Sequence, residues 1–245
     1  RDIEIFPVLR ATFERIYGEN PYKSPTDMGV NMAGNCICDD EVCRQASLQE
    51  IIRRYYDTMD RFISGSCSEE EVFKIEMLMN QAGITVHDRP VVDAALSQAE
   101  QTGAPAAALE LPDGKIVTGK TSDLLGASAA LLLNALKELA GIDHACHVIS
   151  PEAIEPTQKL KVNYLGSRNP RLHTDEVLIA LSVSAATDKN AQLALEQLPK
   201  LNGCQLHTSV MLSSVDINVF KKLFIQATFE PKYEKKTVFR EEKGI

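Results

Sequence analysis

Two polar stretches hold the side chains best equipped for chemistry. The first runs Gly166-Ser167-Arg168-Asn169-Pro170-Arg171-Leu172-His173-Thr174-Asp175-Glu176, ending where an apolar helical pattern begins. A helix start exposes unpaired N–H groups and a partial positive charge, so it attracts anions. Arg168 and Arg171 beside it, with Asn169, suit a phosphate or a carboxylate. The second stretch, Lys23 to Asn31, gathers a cation, the hydroxyls of Ser24 and Thr26, the Asp27 carboxylate and the Asn31 amide, with Pro25 and Gly29 fixing its path. Asp27, His173 and Glu176 are then the candidate acid–base groups. Lys23, Ser24, Thr26, Asn31, Arg168, Asn169 and Arg171 are candidate ligand-binding groups. Each stretch also has a structural account. Thr174 can cap a helix, Asp175 and Glu176 can complement its dipole, and Asp27 can close an Asx-turn.

Gly114 to Thr121 matches the formula of a phosphate-cradling loop letter for letter. Its first glycine, however, belongs to the turn Pro112-Asp113-Gly114, and its interior holds Ile116 and Val117. β-Branched residues favour a pleated strand over a tight anion nest, so the segment reads as a strand. Lys120, Thr121 and Ser122 still stand where a strand hands over to a helix, and from there they can face a ligand. Cys36, Cys38 and Cys43, with His144, Cys146 and His147, lack the paired spacing of a zinc site, and no metal is expected. A hairpin, a buried helix and a following strand give the outline of a cytidine-deaminase-like layer. Its zinc ligands are absent, because Ser128, Ala129 and Ala130 stand at the helix start and no Cys-x-x-Cys occurs.

These residues must be positioned by an α+β, or mixed α/β, chain. Residues 1–103 read as a helical unit, 104–234 as an α/β unit in which one mixed sheet carries helices, and 235–245 as a charged tail. A helix from Ile3 to Tyr17 opens the chain. Asp39 or Asp40 can cap a helix with Leu48, Ile52, Tyr55, Met59 and Phe62 on its apolar stripe. Ser68 and Glu71 predict a capping box for the next, which carries Val72, Ile75, Met79 and Ala82 and ends at Gly83. A short helix over Pro90 to Gln101 precedes the linker Gln101-Thr102-Gly103. Strands are then expected at Ala106–Leu111, Lys115–Val117, Cys146–Ile149, Gln205–Leu212 and Ile225–Phe229. Helices are expected at Leu124–Ala140, Asp175–Ala186, Asn190–Leu198 and Val215–Leu223.

Charge narrows the function classes. Against 26 Lys and Arg stand 34 Asp and Glu, a formal net charge of −8. No basic stripe is left to neutralise a nucleic-acid backbone. No apolar run reaches the roughly 18 residues of a membrane span. Six cysteines in a chain long enough to build its own core form no disulfide framework. No signal-peptide pattern opens the sequence, so it reads as cytoplasmic with reduced thiols.

Arg1 to Leu9, the Lys23–Asn31 loop, Glu50 to Tyr56, Gly114 to Leu133 and Leu165 to Leu181 together resemble a bacterial family of unknown function, the domain-of-unknown-function family 1846. The resemblance covers essentially the whole chain. It implies that the chain is the C-terminal half of a longer protein, whose missing N-terminal half carries a glycine-rich stretch that looks phosphate-binding. It supplies no proven activity and no catalytic residues. The Asn35–Cys43 segment departs from the family pattern.

The reading that follows is a protein whose intact form binds ATP, another nucleotide or a different phosphorylated small molecule, as a hydrolase or transferase. This chain would contribute polar side chains and hold no cofactor of its own. The rival is a non-catalytic assembly module, its helical unit making a homo-oligomer through Tyr55, Tyr56 and methionine-bearing faces. An ATP-dependent peptidase component, the label some relatives carry, finds no His-Glu-x-x-His, no Gly-x-Ser-x-Gly and no thiol with an evident base.

Overall fold

A computed structural model of the protein describes residues 2–22, 24–25, 27–28 and 39–233. The chain divides into two compact units, residues 1–93 and 94–245.

The first unit is helical. It contains α1 (Asp2–Tyr17), α2 (Asp40–Ile63), α3 (Glu69–Ala82) and the start of α4 (Pro90–Thr102). Asp39 caps α2, its carboxylate accepting the Val42 N–H at 3.0 Å. The buried stripe of α2 is shifted by one residue from expectation. Ile51, Ile52 and Tyr56 form the core face, Tyr56 being only 4% exposed, while Phe62 lies open to solvent. Adjacent apolar pairs at 51–52 and 55–56 make two stripes equally plausible in sequence, and packing selects one. Tyr56 is therefore not part of an exposed association face. In α3, Ile75, Leu78 and Met79 are buried, and Gly83 ends the helix in the left-handed conformation at φ 68°. The expected capping box does not form. The Ser68 side chain makes no cap, and the Glu71 carboxylate pairs with Arg61 at 2.8 Å instead.

The second unit is built on a mixed four-stranded sheet in the order β2-β1-β3-β4. β1 (Ala106–Glu110) runs antiparallel both to β2 (Ile116–Lys120) and to β3 (Gln205–Thr208), and β3 runs parallel to β4 (Gln226–Phe229). Gly114, at φ 84°, turns the β1–β2 hairpin. The phosphate-loop lookalike is thus a strand, with Val117 opposite Leu109 and Gly119 opposite Ala107. Across the sheet lies α5 (Ala127–Ala140), whose Leu131, Leu132, Ala135 and Leu136 are buried with Leu109, Val117 and Leu206. Strand and helix meet most closely at Gly119, where a Cβ would sit 2.5 Å from the Leu131 Cα. Asn134 fixes the register by donating to the Thr118 carbonyl at 2.9 Å.

The remaining elements are α6 (Pro151–Lys159), a π turn over Leu160–Tyr164, α7 (Thr174–Ser184), α8 (Lys189–Leu195) and α9 (Ser214–Lys222). α8 packs on α5 and α7, while α9 links β3 to β4 and packs on α7. The expected strand at Cys146–Ile149 is absent. Asp143 closes a turn there by accepting the Ala145 N–H at 2.7 Å, and Val148 and Ile149 reach the core from irregular backbone. α6 was not expected, although Ser150 and Pro151 are a legible N-cap and first residue. α5 begins at Ala127 rather than Leu124, because Leu125 pairs with Leu172 and Gly126 takes the cap position.

α9 ends with Phe224 in the left-handed conformation at φ 57°, with the Ile225 N–H closing onto the Phe220 carbonyl at 2.9 Å. That geometry favours glycine, and the Phe224 side chain is 67% exposed, so it gains little from packing. Phe224→Gly is expected to raise stability by about 0.5–1 kcal/mol, the strain relieved less the added freedom of the unfolded chain. Urea unfolding would measure it.

Candidate functional site

Three helix starts in the second unit are joined by local contacts. The Leu125–Leu172 bridge places the start of α5 beside that of α7. The Gly126 N–H donates to the Leu172 carbonyl at 3.2 Å, and the Leu172 N–H to the Leu124 carbonyl at 3.0 Å. The Asp216 carboxylate, in the first turn of α9, accepts the Thr174 N–H at 3.1 Å and the Thr174 hydroxyl at 2.8 Å. The Ser213 hydroxyl donates to its other oxygen at 2.7 Å. Around these junctions lies a cavity of about 120 Å³, whose walls include Thr121, Ser128, Asn169, Arg171, His173 and Asp216.

The α5 side of this cavity is a set of donors awaiting an acceptor. Gly126 provides no side-chain cap, and no acidic residue stands in the first turn. The amides of Ala127, Ser128 and Ala129 precede the first residue that can bond back into the helix, Ala130, which reaches the Gly126 carbonyl at 2.9 Å. Ser128 and Thr121 also line the cavity, these residues being 7% and 9% exposed. Among the described residues neither hydroxyl has a hydrogen-bond partner. Each residue is largely buried, but its hydroxyl oxygen keeps accessible surface and is open to an entering group.

Charged and titratable groups line the same cavity. Arg171 is one of them, and its Nε donates to the Ser122 carbonyl at 2.8 Å. His173 places Nδ1 3.6 Å from the Asp216 carboxylate, an ion pair once the ring is protonated. That neighbour, as acceptor and as charge, raises the imidazole above its ordinary 6.5 despite partial burial. Burial pushes Asp216 up, but donors on His173, Ser213 and Thr174 outweigh it and hold the carboxyl below its ordinary 3.8. His173 rather than Thr174 is the N-cap residue of α7. Thr174 is drawn inward because its hydroxyl has a buried carboxylate to meet.

Glu176 takes a scaffolding position. Its Oε2 accepts the His173 N–H at 2.8 Å and the Lys161 ammonium at 2.7 Å, and Lys161 also donates to the Arg171 carbonyl at 2.7 Å. Asn169 lines the cavity and accepts the Arg171 N–H at 3.1 Å. Ser122 is exposed, its hydroxyl accepting the Leu125 N–H at 3.1 Å. Lys120 and Arg168 are exposed and do not line the cavity.

In the first unit, Asp27 and Ser24 are buried, and the Ser24 hydroxyl accepts the Asp27 N–H at 2.9 Å. Lys23, Thr26 and Asn31 lie outside the described residues, as do Cys36 and Cys38. A smaller cavity in this unit is lined mainly by apolar side chains, and its Arg10 and Arg44 pair with Glu14 and Glu41 on their own helices. The structure therefore brings Thr121, Asn169, Arg171 and His173 to one cavity and leaves Asp27 in the other unit. Ser128, Ser213 and Asp216 are the site residues that sequence reasoning missed. Ser213-x-x-Asp216 is a legible capping signature, and Ser128 was considered only as a missing zinc ligand.

Among the described residues no group of His, Cys, Asp or Glu could hold a metal ion. No helix among them is long and apolar enough to cross a membrane. Residues 1–83 match the model of the domain of unknown function DUF1846, N-terminal, and residues 87–239 match that of DUF1846, C-terminal. The chain is 56% identical over 240 residues to a UPF0371 protein of Corynebacterium efficiens, covering 98% of this chain and 48% of that protein. It is 54% identical to one of Corynebacterium urealyticum, again over 98% of this chain and 48% of the relative. A UPF0371 protein of Streptococcus pyogenes is 53% identical over 98% of this chain and 49% of its own length. The chain thus spans about half the length of the curated relatives it matches. With both parts of one family description matched end to end along its sequence, the chain belongs to the DUF1846 family.

Proposed function

We propose that this chain binds a small molecule by a phosphate group seated at the start of α5. One observation carries the reading: an uncapped helix start without acidic residues shares its cavity with Ser128 and Thr121, whose hydroxyls stay accessible and have no hydrogen-bond partner among the described residues. Amides at a helix N-terminus meet a tetrahedral anion with both hydrogen bonds and a favourable dipole. Arg171 and protonated His173, which line the same cavity, add positive charge. At about 120 Å³ the cavity is far smaller than pockets that enclose a whole drug-sized ligand, roughly 300–1,000 Å³. It suits the phosphate end of a molecule whose remainder extends outward. A nucleotide is one carrier of such a group, and a hydrolase or transferase completed by the rest of the relatives' length is the enzyme form this reading favours. The antiparallel hairpin, the parallel β3–β4 pair and the buried α5 support a cytidine-deaminase-like outline for the sheet layer. The assembly alternative draws on the exposed Ile179 and Val183 of α7, which name no partner.

Titration of the 245-residue chain with inorganic phosphate, against acetate at equal ionic strength, tests the reading. Phosphate should bind saturably and raise the melting temperature, with acetate binding more weakly. Thr121→Val and Ser128→Ala should each weaken phosphate about 2–10-fold, the loss of one neutral hydrogen bond. Lys120→Ala should leave the affinity unchanged. Absence of phosphate binding, or wild-type affinity in both hydroxyl variants, would overturn it.

A further inference from the structure

Resting on that phosphate reading, we infer that the cavity cleaves phosphomonoesters, with His173 giving a proton to the departing ester oxygen. One cavity holds both kinds of group that the reaction needs. Donors for the phosphoryl oxygens are the amides of Ala127 to Ala129 and the hydroxyls of Ser128 and Thr121. The titratable pair, His173 and Asp216, lines the same cavity. A phosphate ester seated on these donors shares the cavity with the imidazole that protonates its ester oxygen.

The imidazole is oriented from both ends of its residue. Its backbone N–H is held by Glu176 at 2.8 Å, and its Nδ1 faces Asp216 at 3.6 Å. Among the described residues Nε2 has no hydrogen-bond partner, so it is the nitrogen available to a ligand in the cavity. Asp216 is itself fixed by Thr174 and Ser213, and its charge favours the protonated ring. A carboxylate that orients and charges an imidazole in this way equips it as an acid.

The step balances without any further reagent than water. Water oxygen bonds to phosphorus as the bond from phosphorus to the ester oxygen breaks, and that bond's electron pair leaves with the ester oxygen. The leaving oxygen takes the Nε2 proton and departs as an alcohol. The phosphoryl group, having gained both hydrogens of the water, is dihydrogen phosphate. It returns one proton to Nε2 through solvent, leaving hydrogen phosphate and an imidazolium ready for another turnover. Asp216 is a positioning residue here, and Ser128 and Thr121 bind the phosphoryl oxygens.

The test compares two esters on the 245-residue chain. Glycerol phosphate has a poor leaving group that needs a proton, whereas p-nitrophenyl phosphate has one that leaves unaided. The wild-type chain should release phosphate from both. His173→Asn should lose about 10²–10⁴-fold on glycerol phosphate and less than about tenfold on p-nitrophenyl phosphate. Because the protonated ring also adds charge to the phosphate site, the variant's affinity for inorganic phosphate should fall as well, by far less than its rate on glycerol phosphate. The wild-type rate on glycerol phosphate should fall as pH rises past the imidazole's titration, a readout that needs no variant to fold. Equal losses on both esters, a flat pH profile or no hydrolysis by wild type would overturn the acid role even where phosphate binds. If wild type does not bind phosphate at all, the binding reading fails first and this one with it.

Discussion

Gly119→Ala is expected to cost this chain about 3 kcal/mol or more, the upper end of what overpacking does. The added methyl would lie against the backbone of α5, 2.5 Å from the Leu131 Cα and 2.9 Å from the Ala130 carbonyl carbon. Backbone on both sides cannot swing away as a flexible side chain does. β2 and α5 would have to part, and with them the packing of Val117 against Leu131 and Leu132. The midpoint of urea unfolding, at unchanged slope, measures the loss. A cost below about 1 kcal/mol would mean that strand and helix separate freely, contrary to this packing. The same variant separates two accounts of the glycine. In a phosphate-cradling loop it would damage ligand binding and spare stability. In a strand pressed on a helix it damages stability first.

Asp216→Asn is expected to lower stability by about 2–3 kcal/mol near pH 5, because hydrogen bonds to a charged acceptor are lost or weakened together. The carboxylate joins the Thr174 backbone and hydroxyl, the Ser213 hydroxyl and His173, at 7% exposure. The amide can still accept from Thr174, but it turns a donor toward Ser213 and His173. Stability against pH gives a second readout. Asp216 titrates below its ordinary 3.8 when folded, so its contribution is present above that value and fades as pH falls through the folded pKa. His173 titrates above its ordinary 6.5 when folded, so its contribution is full below 6.5 and fades as pH rises through the folded pKa. The pair therefore stabilises most between about pH 4 and 6.5. In Asp216→Asn the alkaline decline should flatten, and so should the part of the acid decline that Asp216 supplies. Thermal unfolding of both proteins across that range checks the sign. An unaltered pH profile in the variant would show that the pair is not formed.

Elements with a strong local signal were legible. Asp39 caps α2, Gly83 ends α3 in a left-handed turn, and the Pro-Asp-Gly turn joins β1 to β2 as its residues demand. The strand reading of Ile116 and Val117 followed from their branching, and pairing with β1 bears it out. Misreadings fell where tertiary partners decide. Glu71 had a choice between its own helix cap and Arg61, and took the arginine. Tyr55 and Tyr56 are equally apolar in sequence, and only the packing of Ile51 and Ile52 turns the second inward. The cavity was half legible. Thr121, Asn169, Arg171 and His173 could be named because polar residues gather near a helix start. Asp216 escaped because its role depends on Thr174, distant in sequence and brought close only by α7 packing on α9. Ser128 escaped because a lone serine at a helix start has no signature until its surroundings are known.

The triple hold of Lys161 on the Arg171 carbonyl and the Glu176 carboxylate, and of Glu176 on the His173 N–H, clasps the two ends of the connection between the π turn and α7. Because the clasp closes below the tip, the stretch from Gly166 to Arg168 need not carry the position of His173. Closing a somewhat longer flexible loop costs little, about 0.6 kcal/mol for each doubling. Evolution can therefore lengthen or recompose that tip to contact different outward-facing parts of a ligand while the chemistry beneath keeps its geometry. Variation in length among relatives should concentrate there, above the clasp, and leave the spacing from Arg171 to Glu176 intact.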